Sequence, residues 1–405
     1  MSLSNPEIFR WARETAGLSL EDAARAFGLT TTTRLLAIES GEEAASRPLV
    51  AKMAKQYHRS LLTFYLPTPP KKGDRGEDFR TVSADRTVAS DALLDALIRD
   101  LRTRQSLVRS TLEDEEFEPI SLIGSERLEN GVQQVVAAIN KALQFDLSQF
   151  RKKPTPEAAF AFLRQKAEEQ GIFVLLAGNL GSHHTAIPVE AFRGFAIADP
   201  IAPFVVINDQ DAQTAWSFTL AHEIAHLFLG ATGISSTSGS INESKIEQFC
   251  NEVAGEFLLP RSELIAIAVA VDKTQPLDVL IDCIAAFAKE RHISRAMVAY
   301  KLFRASVIER EMWQKIDSRL REMWISEKAK KKIERKKKES AVSYYVVRRH
   351  RLGRALLDFA DRAVNSGVLS PVKAARVLGV KPRSVYPLLI DLPRTATGAG
   401  AGSAA

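Results

Sequence analysis

Two histidines four residues apart, with a glutamate directly after the first, are the residues of this 405-residue chain best suited to chemistry: His222-Glu223-Ile-Ala-His226. Positions i and i+4 of an α-helix point the same way, so both imidazoles can be presented to one ion. Glu223 sits one position along and reaches a water on that ion, where it can act as general base. Zinc supplies what side chains alone lack: it lowers the pKa of water from about 15.7 towards about 7 and polarises a scissile carbonyl. With seven histidines in the chain, a chance H-E-x-x-H has odds of roughly one in a hundred. The flanking residues Phe218, Leu220, Ala221, Ile224, Ala225, Leu227 and Phe228 are apolar, which sets the histidines in a dry helix. The bland alternative is two core or surface histidines that fall at this spacing by accident.

A catalytic zinc needs a third protein ligand and an open fourth position. No third histidine lies near the pair, so the ligand is sought among carboxylates on a following helix. In Ile246-Glu247-Gln-Phe-Cys-Asn251-Glu-Val-Ala-Gly-Glu256, Phe249, Val253, Phe257 and Leu258 mark core positions and leave Glu247 and Asn251 on one adjoining face. Glu247 is the preferred ligand, and Asn251, one turn on, can hold the ligand shell by hydrogen bonding. Glu243 and Glu256 are rivals more simply read as solvated charges. His183 and His184 read as solvent-facing loop residues. Tyr300 and Arg295 are weak candidates for oxyanion donors, with surface placement the simpler reading.

Three short apolar runs, 172–176, 192–197 and 204–207, are flanked by glycine, proline and asparagine and predict three strands of one small sheet. Helices are expected from about 211 to 229, 245 to 259, 277 to 290 and 294 to 309. The fold class is α+β, mostly helical, with a small three-stranded sheet leading into a zincin-like active-site helix and a helical C-terminal region. The expected division is a helix-turn-helix unit over 1–66, a linker and helical arm over 67–125, the hydrolase region over 126–310, a basic connector and helical unit over 311–394, and a disordered tail over 395–405. Ser19 with Asp22 three positions on caps the second helix of the first unit, and Gly28 ends it. The 91–112 segment reads as a spacer with polar faces.

Composition narrows the setting. No apolar run reaches the length of about 18–20 residues needed to cross a bilayer, and the start of the chain lacks the pattern of a signal peptide. Cys250 and Cys283 lie in apolar helical patterns and read as reduced thiols. A cytoplasmic protein without membrane contact is expected. Net charge is +6, yet residues 328–354 hold twelve Lys/Arg against Glu334 and Glu339, so the basic character is local.

On these residues the chain resembles the ImmA/IrrE family of bacterial metallopeptidases. The resemblance rests on Phe218-Thr-Leu-Ala-His-Glu-Ile-Ala-His-Leu227, on Glu247-x-x-x-Asn251 with its Phe-Leu-Leu-Pro260 end, and on Arg193-Gly-Phe-Ala followed by Pro203-Phe-Val-Val-Ile-Asn208. The N-terminal unit looks like the Xre-type helix-turn-helix fused to longer members, with Ile38-Glu-Ser-Gly41 near the end of its third helix. Tyr344-Tyr-Val-Val-Arg-Arg-His-Arg-Leu-Gly-Arg354 and the helices after it are similar to those long members too. Cys250 stands where the family usually has alanine.

The resemblance implies a zinc endopeptidase in which His222, His226 and Glu247 bind the metal and Glu223 is the base. It implies a protein substrate, a helix-turn-helix repressor cut at few sites, with stress-response or mobile-element genes switched on as a result. The same ligands accept Mn2+. DNA contact is expected, where it occurs, through Thr31, Thr32, Thr33 and Arg34 or through residues 328–354. Residues 1–70 carry eight basic and seven acidic side chains, poor provision for phosphates, so docking of the repressor is an equal reading. The alternative for the whole chain is a DNA-binding or antitoxin-like regulator with a non-catalytic peptidase fold. Oligomeric state is not legible.

Overall fold

Residues 5–66 fold as the glycine-punctuated helices read from the sequence. In the computed structural model, which describes residues 5–70, 88–235, 245–270, 276–337 and 343–390, these are Pro6–Thr15 (α1), Leu20–Phe27 (α2), Thr33–Ser40 (α3) and Arg47–Gln56 (α4), closed by a 3-10 turn over Leu61–Tyr65. Ser19 Oγ accepts from the Asp22 N–H at 3.1 Å, and Gly28 takes the left-handed conformation (φ 74°) that ends α2 without the steric cost a side chain would bring. Ile8, Phe9, Leu35, Ile38, Met53, Tyr57 and Phe64 form a core of their own. Glu39, one of the seven acids of residues 1–70, is buried and accepts two hydrogen bonds from Arg13, at 2.8 and 2.9 Å. Its charge is therefore withdrawn from the surface.

Val88–Asp114 (α5) is not a free arm. Leu94, Leu97, Ile98, Leu101, Val108 and Leu112 are buried in a second core. Arg109 reaches Asp199 at 2.7 Å. The sequence shows an amphipathic helix, but an apolar stripe does not say which surface covers it. Three further helices, Val132–Leu143 (α6), Leu147–Arg151 (α7) and Pro156–Glu168 (α8), precede the sheet.

The three expected strands are present as Phe173–Leu176 (β1), Gly194–Ile197 (β2) and Phe204–Ile207 (β3), and a short fourth, Gly233–Ser235 (β4), extends the sheet. Their order is β1-β3-β2-β4. β1 runs parallel to β3 with Phe173 opposite Phe204. β2 is antiparallel to both neighbours, Gly194 standing opposite Ile207 on one side and Ser235 on the other. The first three strands are apolar at nearly every position because both faces of the sheet are covered. Val174, Leu176, Ala196, Val205 and Ile207 face the first core, and Phe173, Leu175, Phe195, Ile197, Phe204 and Val206 face the second.

The first core holds Gln213–Phe228 (α9), Lys245–Leu258 (α10), Arg261–Ala270 (α11), Leu277–Glu290 (α12) and Arg295–Arg304 (α13), together with α6 and α8. Arg310–Lys337 (α14) adds Ile316 and Leu320 to the same core. The second core is completed by Tyr344–Leu352 (α15), Arg354–Asn365 (α16), Pro371–Leu378 (α17) and Val385–Leu389 (α18), which close on α5 and the far face of the sheet. The divisions read at 67–125 and 311–394 therefore do not coincide with separate cores.

The C-terminal part of the basic run is engaged within the chain. Arg348 donates to the carbonyls of Leu378 and Gly379, both at 2.8 Å, and Arg349 to those of Leu388 and Pro387. Side chains at 328–337 and residues 338–342 lie outside the described residues, as do Glu243, the 395–405 tail, most of the proline-rich linker and the His183 side chain. Among the described residues no helix is long and apolar enough to cross a membrane.

Candidate metal centre

A helix buried on all sides must be apolar on all sides, and α9 is such a helix. From Ala215 to Phe228 every residue except Phe218 is buried. It lies between the sheet and α6, α8 and α10. His222 and His226 are 2% and 0% exposed, and their Nε2 atoms stand 3.0 Å apart. The i, i+4 spacing has placed the two rings side by side, as the sequence requires.

Helix α10 packs along α9 and brings the carboxylate of Glu247 to the pair. Its oxygens lie 3.3 Å from His222 Nε2 and 3.0 Å from His226 Nε2. Among the described residues, His222, His226 and Glu247 form the one group of metal-ligand side chains whose donor atoms all fall within 4.8 Å of one another. Burial pushes the Glu247 carboxyl up, but hydrogen bonds from the two histidines outweigh it and hold the group well below the usual carboxylate range.

These residues fit a metal by their donor chemistry. Donors bound at about 2.0–2.1 Å around a tetrahedral zinc are about 3.3–3.4 Å apart. The three separations here, 3.0, 3.0 and 3.3 Å, are close to that triangle. Two imidazole nitrogens and one carboxylate oxygen are a usual zinc donor set, three protein donors of a tetrahedral four.

The rivals go elsewhere. Glu256 is neither a ligand nor solvated: it is 9% exposed, binds Lys301 Nζ at 2.8 Å and accepts from the Arg261 N–H at 3.0 Å. Asn251 is buried one turn beyond Glu247. Cys250 is buried in the first core, pointing to packing at that position. His184 is exposed. Thr31, Thr33 and Arg34 are exposed and Thr32 half-buried at the start of α3, while Arg34 Nε is tied to Glu43 at 2.8 Å. That ion pair weakens the only cation of the four.

Glu223 is fully buried, and its setting involves a residue that sequence reasoning missed. A Cβ added at Gly194 on β2 would come within 2.5 Å of Thr219 Cγ2, 2.8 Å of Glu223 Oε1 and 3.1 Å of the Val206 carbonyl. Only a glycine lets the strand approach α9 this closely. Gly194 lies in the Arg193-Gly-Phe-Ala segment, where a lone glycine inside a strand is the available signal. Gly194→Ala is expected to displace the Glu223 carboxylate and, in the hydrolase that the sequence predicts, to lower kcat by about 100-fold at unchanged metal content. Steady-state turnover beside elemental analysis checks this, and unaltered kcat would show that the close approach does not matter.

Tyr300 and Arg295 are not merely on the surface. They line a cleft of about 200 Å³ together with Phe218, Trp313 and Trp324. Phe218 lies one turn before His222, the two ring centroids 6.4 Å apart. The contribution of α14 to this wall was not legible, because its tryptophans belong to a helix read as a connector. Arg193 and Asp211, paired at 3.3 Å, form part of the same rim.

Residues 167–303 match the family model described as IrrE N-terminal-like domain, a Peptidase M78 model. The match spans β1, α9, α10 and the cleft-lining start of α13, so it includes every donor of the His-His-Glu cluster. It is a likeness of this part of the chain to a peptidase domain. No curated protein and no solved structure matches the chain.

Proposed function

We propose, from the peptidase likeness of residues 167–303, that the chain is a zinc-dependent endopeptidase that makes site-specific cuts in a helix-turn-helix repressor. The observation that carries the reading is the convergence of His222, His226 and Glu247, with the buried Glu223 directly after His222 on the same helix. The two Nε2 atoms and a Glu247 oxygen would hold the ion, and Asn251 would steady the ligand helix. Zinc, when bound, polarises the scissile carbonyl and acidifies water. Glu223 takes the proton of the attacking water on a carboxylate oxygen and returns it to the leaving amine nitrogen. Its burial against β2 keeps that oxygen oriented and dry.

The adjacent cleft seats the substrate chain. An apolar cavity of roughly 150 Å³ accepts a benzene-sized group, so the 200 Å³ between Phe218, Tyr300, Trp313 and Trp324 suits one large apolar side chain. The N-terminal unit is read as the docking module for a repressor built on a similar unit. Arg34 tied to Glu43 and Glu39 buried with Arg13 leave it weakly equipped for phosphates. A repressor substrate and two free cysteines suit the cytoplasm.

Incubation of the metal-loaded protein with repressors encoded beside it is expected to yield a few discrete fragments by mass spectrometry. Intact repressors under all conditions, with specific duplex DNA bound instead, would favour the regulator reading.

A further inference from the structure

Arginines from three separate parts of the chain face one cavity of about 870 Å³. Arg59 follows α4 in the N-terminal unit, Arg99 and Arg104 lie on α5, Arg348 and Arg351 on α15, and Arg376 on α17. Asp100 lies 2.5 Å from Arg104, Asp209 lies 2.6 Å from Arg351, and Asp95 is near Arg59. Among the described residues the lining holds these six arginines and one acid, Asp100; Arg59 also lies over Trp11 and Arg348 donates to two carbonyls, neutral contacts that leave both charges in place. Like charges held around a common space repel one another, and an anion in that space would relieve the repulsion.

The donors point to the same conclusion. The Nε–H groups of Arg59, Arg104 and Arg348 are buried and meet no acceptor among the described residues. Buried donors of this kind are rare, and each one costs stability. The Arg104 side chain is only 13% exposed and lies against Gly379, where an added Cβ would collide with its guanidinium. Burial, then the neighbouring Arg99, lowers Arg59 to about 10, and burial with Arg104 does the same to Arg348. Both remain charged at neutral pH.

We propose that this cavity is a binding site for a small polyphosphate anion, either a nucleoside polyphosphate or an inorganic polyphosphate. Guanidinium forks match phosphate oxygens in pairs, and the volume lies in the range of about 300–1,000 Å³ typical of small-molecule sites. Leu61, Leu97 and Val380 supply apolar wall against which a base can lie. A nucleic-acid backbone is less well matched, because the cations surround a space between three parts of the chain and do not form an open stripe. The ligand would tie the N-terminal unit to α5 and to the C-terminal helices.

The test is calorimetric titration of the full chain with ATP and, separately, with sodium tripolyphosphate, at about 50 mM salt where screening is weak. One-site binding is expected, with a rise in melting temperature of about 5 °C at a hundredfold excess over Kd. Tighter binding of ATP identifies a nucleotide site, and equal or tighter binding of tripolyphosphate identifies an inorganic one. Arg104→Gln is expected to weaken binding by about 10- to 100-fold. Because Arg104 also packs internally, the exposed Arg376→Gln serves as a second variant that keeps the fold, with an expected loss of about 3- to 10-fold. Heat from chelation of metal by the probes is the same in every variant and is thereby separated. The proposal is overturned if neither probe binds, if both variants bind like the parent, or if duplex DNA displaces the probe at lower concentration than ATP does.

Discussion

Glu223→Gln is expected to retain one equivalent of metal and to cut the proposed repressor substrate about 10²- to 10⁴-fold more slowly, the usual contribution of a general base. The substitution preserves shape, and Glu223 is fully buried where α9 meets β2, so the fold has no new volume to accommodate. What changes is the loss of a carboxylate oxygen able to take a proton. The donors His222, His226 and Glu247 are untouched, which is why metal content and turnover should part company. Two measurements decide the matter: elemental analysis after dialysis, and the rate of fragment formation under single-turnover conditions. Turnover at the parental rate would remove Glu223 from the proposed mechanism, and loss of zinc would make it a structural residue of the site.

His226→Ala should do the opposite and empty the site. His226 is fully buried, and its Nε2 is 3.0 Å from both the second imidazole and the Glu247 carboxylate. Without it, two donors remain where a stable zinc site needs three from the protein. Metal content after dialysis is expected to fall from about one equivalent to near zero, and cleavage to vanish with it. The variant also leaves the Glu247 carboxylate buried with one histidine in place of two. A moderate loss of thermal stability is therefore expected, and it should exceed that of the parent protein stripped by a chelator, which keeps both histidines against Glu247. A normal zinc content in His226→Ala would contradict the ligand assignment outright.

How much of this was legible in the residues follows from what each signal encodes. The paired imidazoles were legible because their relation is local: four positions along one helix fix their common direction. The three strands were legible for a related reason, since Phe-Val-Leu-Leu and Phe-Val-Val-Ile are apolar at consecutive positions. The fourth strand, Gly233–Ser235, carries no such pattern and owes its conformation to pairing with β2. Glu247 could be preferred over Glu256 but not separated from it, as both are acids on one helix. Packing of α10 on α9 separates them, sending Glu247 to the histidines and Glu256 to Lys301.

The sequence by itself determined the chemistry available to this protein: two nitrogens, a neighbouring base, and acids one helix away. These are properties of residue type and of spacing within a single element, and no tertiary contact is needed to read them. The tertiary structure alone decided which acid completes the cluster, that Gly194 must be small, and that α14 walls the cleft. It also decided that arginines from residues 59, 104 and 348 share one cavity. The physical reason is that an apolar stripe or a charged side chain specifies burial or a partner of opposite sign, but not which distant segment supplies it.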